Sequence, residues 1–216
     1  MTDSPGFVRA HTRLSPVPLV PEILLHQADE AIALWERTER SASGQQPPPF
    51  WGFAWAGGQA LARYVLDNPA LVSRREVLDL AAGSGIVAIA AAKAGAASVT
   101  AVDIDPLSLA AVAANSSVNA VTVTGIERDV LDEPPSADVV LAGDVFYSRE
   151  MATRMMAYFE RAAAGGAKVL VGDPGRAYLP RAALREVASY DVPVVATLED
   201  AAIKHTTVWE IAGSTL

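Results

Sequence analysis

From Val77 onward, short apolar runs alternate with longer segments of small and aliphatic residues. The short runs predict strands, because unbroken aliphatic and β-branched sequence suits a strand that is buried on both faces. The longer segments predict helices, and Asp105-Pro106 is a typical helix start. Predicted strands occupy residues 77–80, 98–103, 121–127, 138–143 and 168–172, and predicted helices occupy residues 86–95, 106–119 and 149–163. This alternation indicates parallel strands with helices on both faces of one sheet.

The last part of the chain breaks the alternation. DVPVVATLE (191–199) and TTVWEIAG (206–213) are strand-like, and no helix of useful length fits between them. Adjacent strands without a crossover helix pair antiparallel. The sequence therefore predicts a terminal antiparallel hairpin.

The N-terminal part is organised differently. Three prolines make SPVPLVP (15–21) a connector rather than a helix. The apolar spacing from Glu22 to Arg40 predicts a helix, which ends before the linker SASGQQPPP (41–49). An aromatic loop then leads into a helix that stops at Asn68-Pro69. We expect residues 1–48 to form an extension that acts as a lid or docking segment, and residues 49–216 to form the main domain.

Composition narrows the possible functions. The net charge of −8 opposes nonspecific binding to phosphate backbones, so we expect no nucleic-acid partner. The chain has no cysteine for a disulfide, a thiolate nucleophile or a zinc–sulfur site, and its three histidines lack metal-ligand spacing. The first residues lack a signal-peptide core, and no apolar segment approaches the roughly 20 residues of a membrane span. We therefore expect a cytoplasmic protein without a bound metal or a membrane partner.

A glycine loop follows the first predicted strand of the alternating region. Gly83 and Gly85 allow a tight turn, and the helix that follows offers free backbone N–H groups to a ligand. Asp103 ends the next strand, 20 residues after Gly83, where a carboxylate can accept hydrogen bonds from a ribose diol. The pair of features predicts a cofactor that contains adenosine.

Asp79 bears on which cofactor this is. The pattern G-x-G-x-x-A also suits a nicotinamide dinucleotide, but a carboxylate beside the loop would repel a pyrophosphate and favour a cationic ligand. S-adenosylmethionine carries a sulfonium and an ammonium and no phosphate. No tyrosine has a lysine four residues further on, the spacing that short-chain dehydrogenases use. A purely structural role for Asp79, capping N–H groups of the loop, is the alternative.

These residues carry a family resemblance. VLDLAAGSG, AVDIDP and the late hairpin together resemble the class I S-adenosylmethionine-dependent methyltransferases. More narrowly, PFWGFAWAGGQALARYVLDNP, LAGDVFY, VGDPGRAYLP and HTTVW look like the lysine methyltransferases that act on the β-subunit of electron transfer flavoprotein. The resemblance covers the chain from about Pro21 onward. It implies an α/β fold with a doubly wound, mostly parallel, seven-stranded Rossmann-like sheet and a C-terminal antiparallel hairpin.

The resemblance also implies a set of cofactor-binding residues. Asp79, Gly83 and Gly85 would surround the methionine end of S-adenosylmethionine. Asp103 would hold the ribose, and Ile104 would lie against the adenine.

Two further positions match the family at the same cofactor. Asp129, after the third strand, matches the position near the adenine amino group. Trp55 matches the tryptophan that many relatives close over the cofactor, whereas the match of Trp51 is weaker.

LAGDVFY (141–147) ends a buried strand at the edge of the sheet where ligands bind. Our hypothesis is that Asp144 accepts a hydrogen bond from a substrate amine, while Phe146 and Tyr147 form the walls of the channel that admits it. Asp144 is a poor strong base for an ammonium, because the reference pKa values differ by several units. The alternative is that Asp144 caps the next helix and that the aromatic residues belong to the core.

The resemblance thus implies a protein-lysine N-methyltransferase whose substrate is the β-subunit of electron transfer flavoprotein. The alternatives are a small-molecule N-methyltransferase that uses the same site and, less favoured, a nicotinamide-dependent oxidoreductase. Asp173 and Arg176, in GDPGR, are equally compatible with a substrate role and with a structural turn. We interpret Trp35 and Trp209 as core residues and Lys93 as a snorkelling surface residue.

Overall fold

The computed structural model describes residues 4–41, 46–194 and 201–211. Within these residues, seven strands form one sheet. Their bounds are Glu76–Leu80 (β3), Ser98–Asp103 (β4), Thr124–Glu127 (β5), Val139–Gly143 (β6), Lys168–Asp173 (β7), Leu184–Pro193 (β8) and Ile203–Ile211 (β9). Their order in the sheet is β5-β4-β3-β6-β7-β9-β8. The pairs among β5, β4, β3, β6 and β7 are all parallel, and β9 is antiparallel to both β7 and β8. The predicted fold class is confirmed.

Helices cover both faces of this sheet. Their bounds are Ala56–Asp67 (α3), Ile86–Lys93 (α4), Pro106–Val118 (α5) and Arg149–Ala164 (α6). Val139 and Leu141 pack into the core under α3 and α4, whereas Val140 and Ala142 pack into the core under α6. Strands with both faces buried read as continuous apolar runs, which is why the sequence identified them.

Among its described residues, the segment before α3 contains two α-helices, a hairpin and a short 3-10 helix at Phe50–Gly52. Its elements are Ser4–His11 (α1), Arg13–Pro16 (β1), Leu24–Gln27 (β2) and Ala31–Ser41 (α2), with β1 and β2 antiparallel. The predicted helix from Glu22 to Arg40 is therefore wrong over its first part, where the chain is a strand. Ile23 and Leu25 alternate into the core, which suits a strand as well as a helix.

This N-terminal segment packs against the main sheet and its helices. Ile23 and Leu25 share a core with residues of α3 and α4, and Val8 of α1 packs with Trp51 and with alanines of α5. A core role therefore explains Trp51. The division at residue 48 and a lid or docking role for residues 1–48 stay predictions.

The C-terminal hairpin is confirmed, but its first strand lies earlier than predicted. Strand β8 begins at Leu184 and ends at Pro193, and residues 195–199 of the predicted strand lie outside the described residues. Trp209 in β9 is buried in the core as predicted, whereas Trp35 is only half-buried. Across the described ranges, no helix has the length and apolar character needed to cross a membrane.

Candidate active site

The loops that follow β3, β4, β6 and β7 meet at one edge of the sheet, because parallel strands share a carboxyl end. Strand β3 lies between β4 and β6, with Asp79 opposite Ala101 on one side and Leu141 on the other. From β3 the chain first builds the sheet on one side, through β4 and β5, and then on the other side, through β6 and β7. In such sheets the crevice outside the strand ends at this reversal is where ligands bind.

The glycine loop after β3 has the backbone that its sequence predicts. Gly83 and Gly85 have φ values of 51° and 77°, and Gly85 is the N-cap of α4. A Cβ on Gly85 would lie 3.0 Å from Cγ2 of Val112, so glycine also allows α5 to approach the loop. A bulkier residue at this position would require both a strained backbone and a displaced helix.

Asp103 joins the loop to the end of β4. Its Oδ2 accepts a hydrogen bond from the N–H of Gly83 at 2.9 Å, and its Oδ1 accepts one from the N–H of Asp105 at 3.0 Å. An ionised carboxylate can accept about four hydrogen bonds, so further acceptor capacity remains on both oxygens. Ile104, beside it, is 69% exposed.

Asp79 lies beneath the loop rather than at its surface. The residue is 1% exposed, and its Oδ2 accepts a hydrogen bond from the N–H of Ala88 in the first turn of α4 at 2.9 Å. Burial raises the pKa of Asp79 to about 8; the hydrogen bond from Ala88 opposes this shift and the nearby Asp103 adds to it. The carboxyl group therefore bonds to the first turn of the helix that begins at the loop, whereas the structural alternative placed such bonds on the loop itself; a role for Asp79 in cofactor binding stays a prediction.

Asp129 lies after β5 and contacts α6. Arg154 donates a hydrogen bond to its Oδ2 at 2.7 Å, and the N–H of Leu131 donates to its Oδ1 at 3.0 Å. The hydrogen bond from Arg154 lowers the pKa of Asp129. Asp129 is thus held as a carboxylate beside the strand that neighbours β4.

Trp55 is the N-cap residue of α3, at the same edge of the sheet. Its indole N–H donates to the carbonyl of Phe50 at 2.9 Å, and the two rings are 5.7 Å apart. The guanidinium of Arg176, from the loop after β7, lies 5.5 Å from the centre of the Trp55 ring. Trp55 therefore connects the aromatic loop with the loop after β7.

Asp144 follows β6 in a left-handed conformation, with φ 58°. Its Oδ2 accepts a hydrogen bond from the N–H of Gly58 at 3.0 Å, and its Oδ1 accepts one from Arg176 at 2.6 Å. Ser148, not Asp144, caps α6. The alternative that Asp144 caps the following helix is therefore wrong, although its carboxylate does bond to the first turn of α3. Strained non-glycine residues of this kind are concentrated at functional sites.

Phe146 and Tyr147 point in different directions. Phe146 is fully buried against Phe159, so the prediction that it is a channel wall is wrong. Tyr147 is 48% exposed, and its ring centre lies 5.7 Å from that of Phe50. Burial raises the pKa of Tyr147, and the charge of Asp103 adds to this shift. Tyr147 therefore lies within electrostatic reach of the carboxylate that ends β4.

Sequence reasoning missed the close packing of α3 against the ends of strands β6 and β7. A Cβ on Gly57 would lie 2.2 Å from the carbonyl oxygen of Gly172, and one on Gly143 would lie 2.9 Å from Cα of Gly58. These distances require glycine on both sides. The sequence signal for this close contact was the pair of glycines in WAGG (55–58), together with the glycine that ends the predicted strand at Gly143.

Comparison with known proteins agrees with this arrangement. A putative RNA methyltransferase from Pyrococcus horikoshii has a similar fold, with a TM-score of 0.55 and 16% identity over 86% of this chain and 96% of that one. Magnesium protoporphyrin IX methyltransferase from Synechocystis, solved with bound S-adenosylmethionine, gives a TM-score of 0.53 and 16% identity over 72% of this chain and 78% of that one. The family profile of ribosomal protein L11 methyltransferase matches residues 59–145.

The fold and the site thus define a Rossmann-like methyltransferase of the S-adenosylmethionine-dependent class. Electron transfer flavoprotein beta subunit lysine methyltransferase of Danio rerio is 35% identical over 88% of this chain and 76% of its own. The Homo sapiens protein of that name is 34% identical over 94% of this chain and 80% of its own. The chain belongs to this family of lysine methyltransferases, as the resemblance predicted, and the oxidoreductase alternative is wrong.

Proposed function

We propose that the protein transfers a methyl group from S-adenosylmethionine to lysine side chains of the β-subunit of electron transfer flavoprotein. The observation that carries this proposal is the placement of Asp144. Its carboxylate is held at the end of β6, the strand next to the one that carries the glycine loop. The names of the relatives at 34% and 35% identity supply the substrate.

The loops fit S-adenosylmethionine by the chemistry of their donors and acceptors. The carboxylate of Asp103 keeps acceptor capacity for ribose hydroxyls after its two backbone bonds. The carboxylate of Asp103 lies at the loop, and no lysine or arginine occurs from Val77 to Ala92, so no positive side chain opposes it there. This charge balance favours a cationic ligand without phosphate.

The remaining cofactor contacts are proposed by position. Gly83 and Gly85 leave room for a ligand to approach the backbone, and Ile104 presents an exposed apolar surface for the adenine. Trp55 would cover the cofactor from the start of α3, and Asp129 would lie near the adenine amino group. When bound, S-adenosylmethionine supplies a methyl group that is already activated by the sulfonium.

The residues of this chain then have to present an amine as a nucleophile. A lysine amine has a reference pKa near 10.4 and must first lose a proton to solvent. Its lone pair would then form the new N–C bond as the sulfur–methyl bond breaks, with S-adenosylhomocysteine as the leaving group. Asp144 would accept a hydrogen bond from the neutral amine and direct its lone pair toward the methyl group, which is a positioning effect. Tyr147, half exposed beside Phe50, would pack on the aliphatic part of the lysine side chain.

A direct assay tests the proposal. The purified protein is incubated with labelled S-adenosylmethionine and recombinant electron transfer flavoprotein, and the β-subunit is analysed by mass spectrometry. We expect methylated lysine with the wild type, and a loss of at least about a hundredfold in rate with Asp144→Asn at unchanged cofactor affinity.

The same reaction with a cell extract separates the alternatives. Label that appears only in small amines would support a small-molecule methyltransferase, and label on lysines of a different protein would contradict the flavoprotein substrate. A wild-type rate retained in Asp144→Asn would contradict the role of this carboxylate. A cytoplasmic location and the lack of nucleic-acid or membrane partners stay predictions from the sequence.

A further inference from the structure

Arg176 is fixed at its backbone by the loop that carries it. Asp173, 1% exposed at the end of β7, accepts hydrogen bonds at its Oδ1 from the N–H groups of Gly175 and Arg176, both at 2.7 Å. Gly175 has φ +90°, which a side chain would strain. The segment GDPGR is thus a rigid turn that directs one side chain toward the loop after β6.

The guanidinium of Arg176 is also fixed at its far end. One terminal nitrogen donates to Oδ1 of Asp144 at 2.6 Å, and the guanidinium carbon lies 5.5 Å from the centre of the Trp55 ring. The side chains of Arg176 and Asp144 are 21% and 11% exposed, so water screens this ion pair only weakly. An aromatic face and a charge-assisted hydrogen bond together hold a permanent positive charge beside the Asp144 carboxylate.

That charge bears on the protonation of a substrate amine. A carboxylate alone would stabilise a lysine as ammonium, which has no lone pair with which to attack a methyl group. A fixed guanidinium on the same carboxylate opposes a second cation nearby and therefore favours the neutral amine. The other carboxylate oxygen, Oδ2, accepts from the N–H of Gly58.

Other charged and titratable groups surround this place. On the β7 side, Asp173 lies near both Arg176 and Arg181. Burial raises the pKa of Asp173, and the positive charges of these two arginines oppose that rise. Tyr147 follows β6, and Asp103 and Asp79 lie at the ends of β4 and β3. In the part of α3 that meets Asp144, from Ala56 to Gln59, no residue is charged. Arg176 donates a hydrogen bond to Asp144 itself.

We propose that Arg176 is a positioning residue that keeps the incoming lysine amine unprotonated, by holding a fixed positive charge on the Asp144 carboxylate. The inference rests on the proposed lysine methylation and adds to it a role for the loop after β7. It gives the enzyme a way to use a weakly basic carboxylate without trapping the substrate as an ammonium.

The test is the pH dependence of kcat with the flavoprotein substrate, measured from pH 6.5 to 10 in four proteins: wild type, Arg176→Gln, Arg176→Lys and Arg161→Gln. We expect the acidic limb of the profile to move up by about one to two pH units in Arg176→Gln, with recovery at high pH. Arg176→Lys keeps the charge, so its limb should stay within about half a unit of the wild type. Arg161, which lies over the Tyr158 ring, is the matched control.

The outcomes separate this inference from the proposed function. A wild type that places no label on lysine would overturn the function. A wild type that methylates lysine, together with an Arg176→Gln profile lowered equally at every pH, would overturn only the role of Arg176. If the acidic limb of the pH profile moves as far in Arg176→Lys as in Arg176→Gln, the role of Arg176 is also overturned. Arg176→Met replaces the glutamine variant if that protein does not fold, and cofactor affinity is measured in each variant.

Discussion

The side chain of Asn115 bonds to the carbonyl of Ser84, and so ties α5 to the glycine loop. Its Nδ2 donates to that carbonyl at 2.8 Å, while its Oδ1 accepts from the backbone N–H of His26 at 2.8 Å. One turn later, Asn119 accepts from the N–H of Leu24 and donates to its carbonyl. Two asparagines thus hold strand β2, and one of them also bonds to the loop that we propose binds the cofactor.

Replacing Asn115 should therefore weaken cofactor binding beyond its effect on folding. In Asn115→Ala, the carbonyl of Ser84 and the N–H of His26 lose their partner in the interior, at a cost of about 1–3 kcal/mol for each buried group. Asn119→Ala is the matched control, because it also releases β2 but does not bond to the loop. We expect both variants to have a lower Tm, and only Asn115→Ala to bind S-adenosylmethionine at least about fivefold more weakly in calorimetry. Equal loss of affinity in the two variants would assign the effect to β2.

Gly57 should tolerate no side chain. A Cβ there would lie 2.2 Å from the carbonyl oxygen of Gly172 and 2.6 Å from Oδ2 of Asp144, so α3 would have to move off the strand ends. We expect Gly57→Ala to lower the free energy of unfolding by about 3 kcal/mol or more in urea denaturation. Gly125→Ala serves as the control, because its Cβ would meet Leu109 at an ordinary 3.5 Å. A Gly57→Ala protein as stable as this control would mean that the close contact is absent in solution.

The central sheet could be predicted because its strands are buried on both faces and so read as apolar runs. The N-terminal hairpin could not, because the decisive contacts are distant in sequence. Leu24 is held as a strand by Asn119, 95 residues further on, and the local spacing around it fits a helix equally well. Tertiary hydrogen bonds, and not local propensity, determine this element.

The candidate site divides in the same way. Asp103 and the glycine loop were predictable because their spacing along the chain reflects one strand–helix–strand unit. The bond between Arg176 and Asp144 joins residues 32 apart and depends on β6 and β7 being neighbours, with Gly143 opposite Gly172. Both residues follow strand ends that the sequence did identify, so the missing information was the strand order.

Asp79 should make the stability of the apo protein depend on pH. Its folded pKa of about 8 lies above the reference value of 3.8, so the folded state binds the proton more tightly than the unfolded state does. This tighter binding of the proton makes its full contribution to the free energy of unfolding below about pH 4. The contribution is lost as the pH rises to about 8. We expect Asp79→Asn, which is neutral at every pH, to gain stability relative to the wild type between pH 5 and 8.5, by about one to several kcal/mol. Urea denaturation of both proteins across this range measures the difference, and a constant difference would show that Asp79 stays ionised in the fold.

Substitutions of Phe146 and Tyr147 should have different effects, one on stability and the other on activity. The two residues are adjacent, but Phe146 is buried and Tyr147 is half exposed. Phe146 is fully buried against Phe159, so Phe146→Ala should lower the free energy of unfolding by about 3–5 kcal/mol. Tyr147 is half exposed beside Phe50, so Tyr147→Ala should change stability by less than about 1 kcal/mol. If Tyr147 packs on the substrate lysine, its loss should lower kcat/KM for the flavoprotein by about tenfold, at unchanged affinity for S-adenosylmethionine. Urea denaturation measures the stability of both variants, and a methylation assay measures their kcat/KM. A wild-type kcat/KM in Tyr147→Ala would contradict the proposal that Tyr147 packs on the substrate lysine.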